Sequence, residues 1–321
     1  MDNANTLVTI FGGSGFVGTQ IVQALARKGF RIRVAVRRPD LAGHVKPLGA
    51  VGQVMPVQAN VRNAESVRRA AAGAGVVINL VGIGYERGAQ RFRAVHVMGA
   101  QNVAQAAKAV GAQTLIHMSA LGADAQSPSS YARSKALGEA AVLEAFPEAV
   151  IMRPSIVFGP GDSFFNLMGT LTRYFPVLPL IGAKTRFQPV YVGDVADAFA
   201  GAAIGAVKTG RAYELGGPEI ATYRDLMARV QHEAARSRPM VPVPAAVGKL
   251  LAFPFSLLPF PPLLTGDQVD LLQADNVVSE AAHRDKRTLE AFGIQPTAMD
   301  AVLPSYLWRF RPSGQFDRAA A

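Results

Sequence analysis

Cysteine is absent from the 321 residues. Its absence excludes a disulfide framework, a thiolate nucleophile, and zinc or iron–sulfur sites built on cysteine, and it fits a reducing compartment. The five histidines show no metal-ligand spacing. Carboxylates are scarce: 33 basic against 23 acidic side chains leave +10 at pH 7, and the pI is near 10.1. That excess asks for an acidic partner, whether nucleic acid, anionic lipid, a phosphorylated ligand or another protein. Met1–Thr6 carries no basic n-region and no apolar h-region. It reads as neither a secretory signal nor an Arg-rich transit peptide, which predicts a cytosolic protein of bacterial type. A membrane-spanning helix needs about 20 mostly apolar residues. The nearest run, Leu250 to Leu264, is uncharged, but Pro254, Pro259, Pro261 and Pro262 break it.

Half of the residues are apolar and 17% are charged, so a large core is available and global disorder is excluded. The length suits one large domain or two smaller ones. Apolar runs predict strands at Leu7–Phe11, Arg31–Val36, Val54–Gln58, Val76–Val81, Thr114–Met118 and Val150–Arg153. Helical spacing predicts helices at Phe16–Lys28, Ala64–Ala72, Arg91–Val110 and Ser130–Ala145. This alternation argues for an α/β fold with a doubly wound parallel sheet, covered on both faces. The division expected is 1–155 for a nucleotide-binding sheet domain, to which some later elements return, and 156–321 for a smaller, irregular lobe. Val241 to Leu264 sets prolines among Val, Leu and Phe, and is read as apolar, partly helical surface.

Gly12, Gly15 and Gly18 are spaced G-x-x-G-x-x-G between the first strand and the first helix. The tight turn needs glycine, pyrophosphate approaches backbone there, and the last glycine lets helix and strand pack closely. Ser14, Phe16 and Val17 complete the turn. Binders of NAD place an acid at the end of the second strand. Here Arg37 and Arg38 stand there, and a guanidinium suits a 2′-phosphate, so NADPH is favoured over NADH. Residues 1–70 carry ten basic side chains against Asp2, Asp40 and Glu65, but their aromatics are only Phe11, Phe16 and Phe30. Nucleic-acid binding is not expected from that composition. Tyr131 and Lys135 stand at i and i+4 on one helix face. A nearby ammonium lowers a phenol's pKa, so the pair could move a proton while hydride moves. His117 reads as a packed core residue, and Asp194 as a cap of the helix after it.

Four motifs in order carry a resemblance to the short-chain dehydrogenase/reductase superfamily, in its extended or atypical branch. They are Gly12-x-x-Gly15-x-x-Gly18, Val77–Gly82, Tyr131/Lys135 and Arg153–Pro160. The resemblance implies Asn60 and Val61 near the adenine, and Val81 and Gly82 along the phosphates and ribose. It places Pro154 and Ile156 about the nicotinamide. The superfamily usually has Ser or Thr just after the fifth strand; the register puts Ala120 there and Ser119 one place before. It often has Asn where His96 stands. Three longer stretches, Met152–Asp162, Lys184–Val195 and Leu303–Arg311, resemble the NADPH-binding accessory subunits of respiratory complex I. This implies a peripheral subunit on the cytoplasmic face of a bacterial inner membrane, beside the quinone junction, with mainly structural NADPH. Anionic lipid is a further contact to expect. The alternatives are an NADP-dependent oxidoreductase or sugar-nucleotide epimerase/dehydratase using Tyr131 and Lys135, and an NADP(H)-sensing regulator. The tail Tyr306–Arg311 is an aromatic–arginine cluster of the kind enriched at interfaces.

Overall fold

A computed structural model describes residues 3–257, 262 and 264–312. In chain order the first elements are β1 (Leu7–Phe11), α1 (Phe16–Arg27), β2 (Arg31–Val36), β3 (Val54–Gln58), α2 (Ala64–Ala71) and β4 (Val76–Asn79). Then come α3 (Met98–Ala109), β5 (Thr114–Met118), α4 (Ser130–Ala145), β6 (Val150–Pro154), β7 (Val157–Phe158), α5 (Phe164–Tyr174), β8 (Leu178–Ile181) and β9 (Arg186–Phe187). The chain continues with β10 (Val190–Tyr191), α6 (Val192–Ala203), β11 (Ala212–Leu215), β12 (Ala221–Thr222), α7 (Tyr223–Glu233), β13 (Met240–Val243) and α8 (Ala245–Leu257). Short helices α9 (Gly266–Leu271), α10 (Glu280–Arg284), α11 (Met299–Val302) and α12 (Pro304–Leu307) follow.

Two compact units result. The first holds Met1–Pro154, Val192–Leu215 and Val278–Gln295. Its sheet has the order β11-β6-β5-β4-β1-β2-β3, and every pairing is parallel. The connections leave β1 to opposite sides, so β1 and β4 are neighbours whose chains diverge. That switch point opens a crevice at the carboxyl ends of the strands. Val8, Ile10, Val76, Val77 and Ile78 are fully buried, which is why these strands read as unbroken apolar runs.

Two local departures from the periodicity have visible causes. β4 stops at Asn79, not Val81. The Asn79 amide oxygen accepts from Val81 N–H at 3.2 Å, and its Nδ2 meets His117 Nδ1 at 3.1 Å. The side chain thereby turns Val81 out of the ladder toward the crevice, one residue after the last bond to β1, Leu80 N–H to Phe11 O at 2.9 Å. The helix expected over Arg91–Val110 is interrupted by a π turn at Arg93–Val97. A Cβ at Gly138 of α4 would lie 2.2 Å from the His96 carbonyl oxygen. The bulge and that glycine together let α4 approach closely.

The second unit holds Ser155–Tyr191, Gly216–Val277 and Pro296–Ala321. It pairs β7 with β10, β8 with β13 in parallel, and β9 with β12 antiparallel. Its core gathers Phe158, Phe165, Met168, Leu178, Leu180, Leu226 and Val230. The tail corrects one expectation. Tyr306, Leu307 and Phe310 are buried in this core, and Tyr306 Oη donates to Asp162 at 2.6 Å. Burial of three large side chains on the unit's own interior claims most of the apolar surface expected for a partner. Of the segment Val241 to Leu264, β13 and α8 are described, whereas residues 258–261 and 263 lie outside the described residues. Among the described residues, no helix is long and apolar enough to cross a membrane.

Candidate nucleotide-binding site

The glycine turn occupies the crevice. Gly12 has φ of +84°, a left-handed conformation that glycine adopts without strain. Gly15 stands at the N-cap of α1 with no side-chain cap, and the first helical turn has no acid. The opening amides of α1 are therefore available to an anion. Gly18 has the third role: a Cβ there would sit 2.6 Å from Gly12 O and 2.6 Å from Gly13 Cα.

A cavity of about 460 Å³ opens beside this turn, within the size range of cofactor sites. Gly12, Ser14, Gly15, Arg37, Arg38, Asn60, Val61, Val81 and Gly82 line it. The two arginines differ. Arg38 is held by Asp40, at 2.9 Å, on the open surface. Arg37 is exposed and makes no ion pair among the described residues. Asn60 accepts from Arg62 N–H at 3.1 Å, which shapes the loop after β3. Phe16, Val17 and Gly18 form the first turn of α1 behind the lining.

Sequence reasoning missed three contributors. Arg62 also lines the cavity and reaches the Ala89 carbonyl at 3.0 Å. His44 Nε2 donates to Ser14 O at 3.1 Å and so holds the glycine turn from the segment after β2. Leu41 contributes exposed apolar surface to the same wall. For Arg62 a signal existed, a basic residue two places beyond Asn60; for His44 the contact spans 30 positions and has none.

Tyr131 and Lys135 lie one turn apart on α4, which Ser129 caps through Ala132 N–H at 3.2 Å. Lys135 Nζ is buried and donates to Met118 O at the end of β5, at 2.9 Å. Burial lowers its pKa to about 8, against an opposing pull from Glu139. A Cβ at Gly82 would lie 3.6 Å from that nitrogen, so the lysine stands at the cavity's glycine wall. The Tyr131 ring packs edge-on against His96 at 5.5 Å and Phe92 at 5.9 Å. Ser119 Oγ, only 2% exposed as a residue, has no hydrogen-bond partner among the described residues. Pro154 closes β6, where its carbonyl accepts from Leu121 N–H at 2.9 Å. Ile156 belongs to the second unit and packs against its core. Neither lines the cavity. Asp194 lies in the first turn of α6, two residues inside the helix start, and is therefore not its cap.

His96 is a hinge between loop and helix. Its Nε2 accepts from Ile83 N–H at 2.9 Å, which fixes the proton on Nδ1, facing Ser134 Oγ at 2.8 Å. Ser134 in turn donates to the Tyr131 carbonyl at 2.7 Å. Burial, then the Lys135 charge, pushes the His96 pKa down to about 3. The same two causes, with His96 third, bring His117 to about 3. The unfolded chain's imidazoles titrate near their reference pKa of about 6.5 and bind more protons below it. Stability should thus fall as pH drops from about 6.5 toward 3, by about 1.4 kcal/mol per pH unit for each histidine. Urea midpoints across this range check it, and His117→Asn should flatten the slope. A midpoint unchanged down to the carboxylate range would refute the assignment.

The family model described as NAD dependent epimerase/dehydratase family matches residues 8–216. The chain belongs to that family. Its similarity to one kind of protein extends further. It is 38% identical over 325 residues to the NADH dehydrogenase (ubiquinone) 1 alpha subcomplex subunit 9, mitochondrial, of Arabidopsis thaliana, across 96% of this chain and 79% of that protein. The protein of the same name from Mus musculus is 33% identical over 312 residues, across 96% of this chain and 81% of that one. The chain is homologous to these complex I subunits. The structure of the NADPH-dependent quinone oxidoreductase QOR2 of Escherichia coli, complexed with NADPH, matches with a TM-score of 0.71 at 18% identity. That match covers 91% of this chain and 96% of that one, and shows the shared fold. The NAD(P)-binding fold and the site fit each other: uncapped amides, glycine walls without Cβ atoms and cationic side chains line one cavity.

Proposed function

We propose that the chain holds NADPH as a mainly structural group and serves as an accessory or assembly subunit of respiratory complex I. It would sit peripherally on the cytoplasmic face of a bacterial inner membrane, near the quinone junction. The observation that carries this reading is the likeness to complex I subunits over 96% of the chain, second unit included. The preference for NADPH rests on Arg37, a cation without a carboxylate partner among the described residues, at the wall of the cavity. A nicotinamide nucleotide supplies hydride transfer when it is bound. This chain's residues bind and orient it. The Lys135 ammonium is engaged by Met118 O, and by the register of the family resemblance Ala120 takes the place of the carbonyl-polarising hydroxyl. Both favour holding over turnover.

Arg37→Ala should weaken NADPH about thirtyfold, the equivalent of about 2 kcal/mol for a charge-assisted contact, and leave NADH nearly unchanged. Fluorescence titration of the two nucleotides checks this; equal losses would refute the 2′-phosphate role. In a strain carrying only the variant, native gels of solubilised membranes should show less assembled complex I for Arg37→Ala. Tyr131→Phe should leave it at the wild-type level. A loss of assembly with Tyr131→Phe at intact nucleotide affinity would favour chemistry over structure.

A further inference from the structure

Two stretches of the second unit contain no acidic residue: 163–191 and 234–266. They hold Arg173, Lys184, Arg186, Arg236, Arg238 and Lys249. Parallel pairing of β8 with β13 brings the stretches together, with Val241 opposite Pro179. Leu178 and Leu180 point into the core, while Val177, Pro179 and Val241 stay exposed on the outer side. The run entering β8 adds Tyr174, 70% exposed, and Phe175. α8 extends the surface. A Cβ at its Gly248 would lie 2.6 Å from Ile181 Cδ1, so the helix rests on the end of β8. Val247 and Leu250, one turn apart, are exposed, Leu250 at 73%.

Cations border this apolar surface. The Arg173 guanidinium stands over the Tyr174 ring at 5.5 Å. Arg238 Nε donates to Thr172 O at 3.4 Å, which sets it beside the same run. Arg186 and Lys249 are neutralised by Asp275 and Asp270. Arg173, Lys184, Arg236 and Arg238 form no ion pair among the described residues. A soluble surface interleaves both signs and breaks up its apolar area. Here aromatic and aliphatic side chains stand beside cations that outnumber the carboxylates reaching them, Asp270 and Asp275, a combination that suits a headgroup layer, where rings and aliphatic chains enter and arginines meet phosphate.

We propose that the outer face of the β8–β13 pair, with Tyr174, Phe175 and the Val247/Leu250 face of α8, docks on an anionic lipid bilayer. The attraction is interfacial: no segment crosses the bilayer, and the headgroup charge supplies the selectivity. This proposal stands on the surface alone and needs neither a bound nucleotide nor complex I.

The test is cosedimentation of the full chain with vesicles of pure phosphatidylcholine and with vesicles containing one third phosphatidylglycerol. Binding is expected to the anionic vesicles only, and to weaken with added salt. Arg173→Ala and Lys184→Ala should each lower partitioning about fivefold. Tyr174→Ser with Leu250→Ser should remove the binding that survives moderate salt. Lys28→Glu, on the other unit, should change partitioning little, which separates this face from the basic first unit. Melting temperatures establish that the variants remain folded. Equal binding to both vesicle types, no binding, or equal loss with Lys28→Glu would overturn the proposal. So would a concentration-dependent dimer abolished by Tyr174→Ser and Leu250→Ser, because a second copy would then cover the face.

Discussion

Gly18→Val should cost about 3 kcal/mol of stability or more and abolish nucleotide binding, because the new side chain has nowhere to go. The three nearest atoms a Cβ would meet are all backbone: Gly12 O at 2.6 Å, Gly13 Cα at 2.6 Å and Gly13 C at 2.7 Å. A flexible side chain could yield, but the turn must move as a whole. Moving it separates the amides of α1 from the strand end they share the crevice with. The matched control is Gly29→Ala. Gly29 has φ of +86°, so alanine is strained there, yet nothing lies within 4 Å of its Cβ. It should cost about 1 kcal/mol and spare NADPH affinity. Urea midpoints and NADPH titration on both variants check the contrast. Retention of affinity in Gly18→Val would refute close helix–strand packing as the glycine's role.

Arg153→Met should cost about 3–5 kcal/mol, although it lies on β6, away from the cavity lining. Arg153 Nε and NH2 donate to the two Glu139 carboxylate oxygens at 2.9 and 2.6 Å, and NH1 stands 3.7 Å from Glu214. Glu214 also accepts from Ser279 N–H at 2.8 Å. Its bond to Glu139 raises the arginine's pKa above the ordinary guanidinium value. One guanidinium thus ties β6 to α4, the helix of Tyr131 and Lys135, and to β11. Methionine fills the volume but leaves two buried carboxylates without their ion-pair partner. Adding Glu139→Gln to Arg153→Met should recover part of the loss. Chemical denaturation of the single and the double variant reads both. A deficit below about 1 kcal/mol would place the network with exposed ion pairs instead.

Much of the first unit was legible in the sequence. β1, β2, β3 and β5 carry boundaries that local pattern sets: β1 and β5 are buried apolar runs, β2 alternates arginine with Ile32 and Val34, and β3 is the half-exposed edge strand. The ends that moved depend on distant partners. β4 is shortened by Asn79 bonding across to His117, 38 positions away. The π turn answers to Gly138 on another helix. At the site, Gly12, Gly15, Gly18 and the arginines after β2 belong to short local motifs, and periodicity puts them at strand ends. Arg62 and His44 enter through loops, whose paths no repeat encodes. Arg38 is tied to Asp40, a neighbour visible in the sequence, although the pairing itself was not. In the second unit the strands are two to four residues long, too short for a period to register. The Tyr306–Arg311 composition suggested an interface, whereas Tyr306 and Phe310 complete the unit's own core.

The central claim concerns the company the chain keeps. A tagged copy expressed from its own locus, purified from gently solubilised membranes, tests it most directly. The account predicts that complex I subunits copurify in near-equal amounts, and that acid-released nucleotide is NADP(H), about one per chain. Recovery of the chain alone, with complex I intact in the unbound fraction, would contradict it.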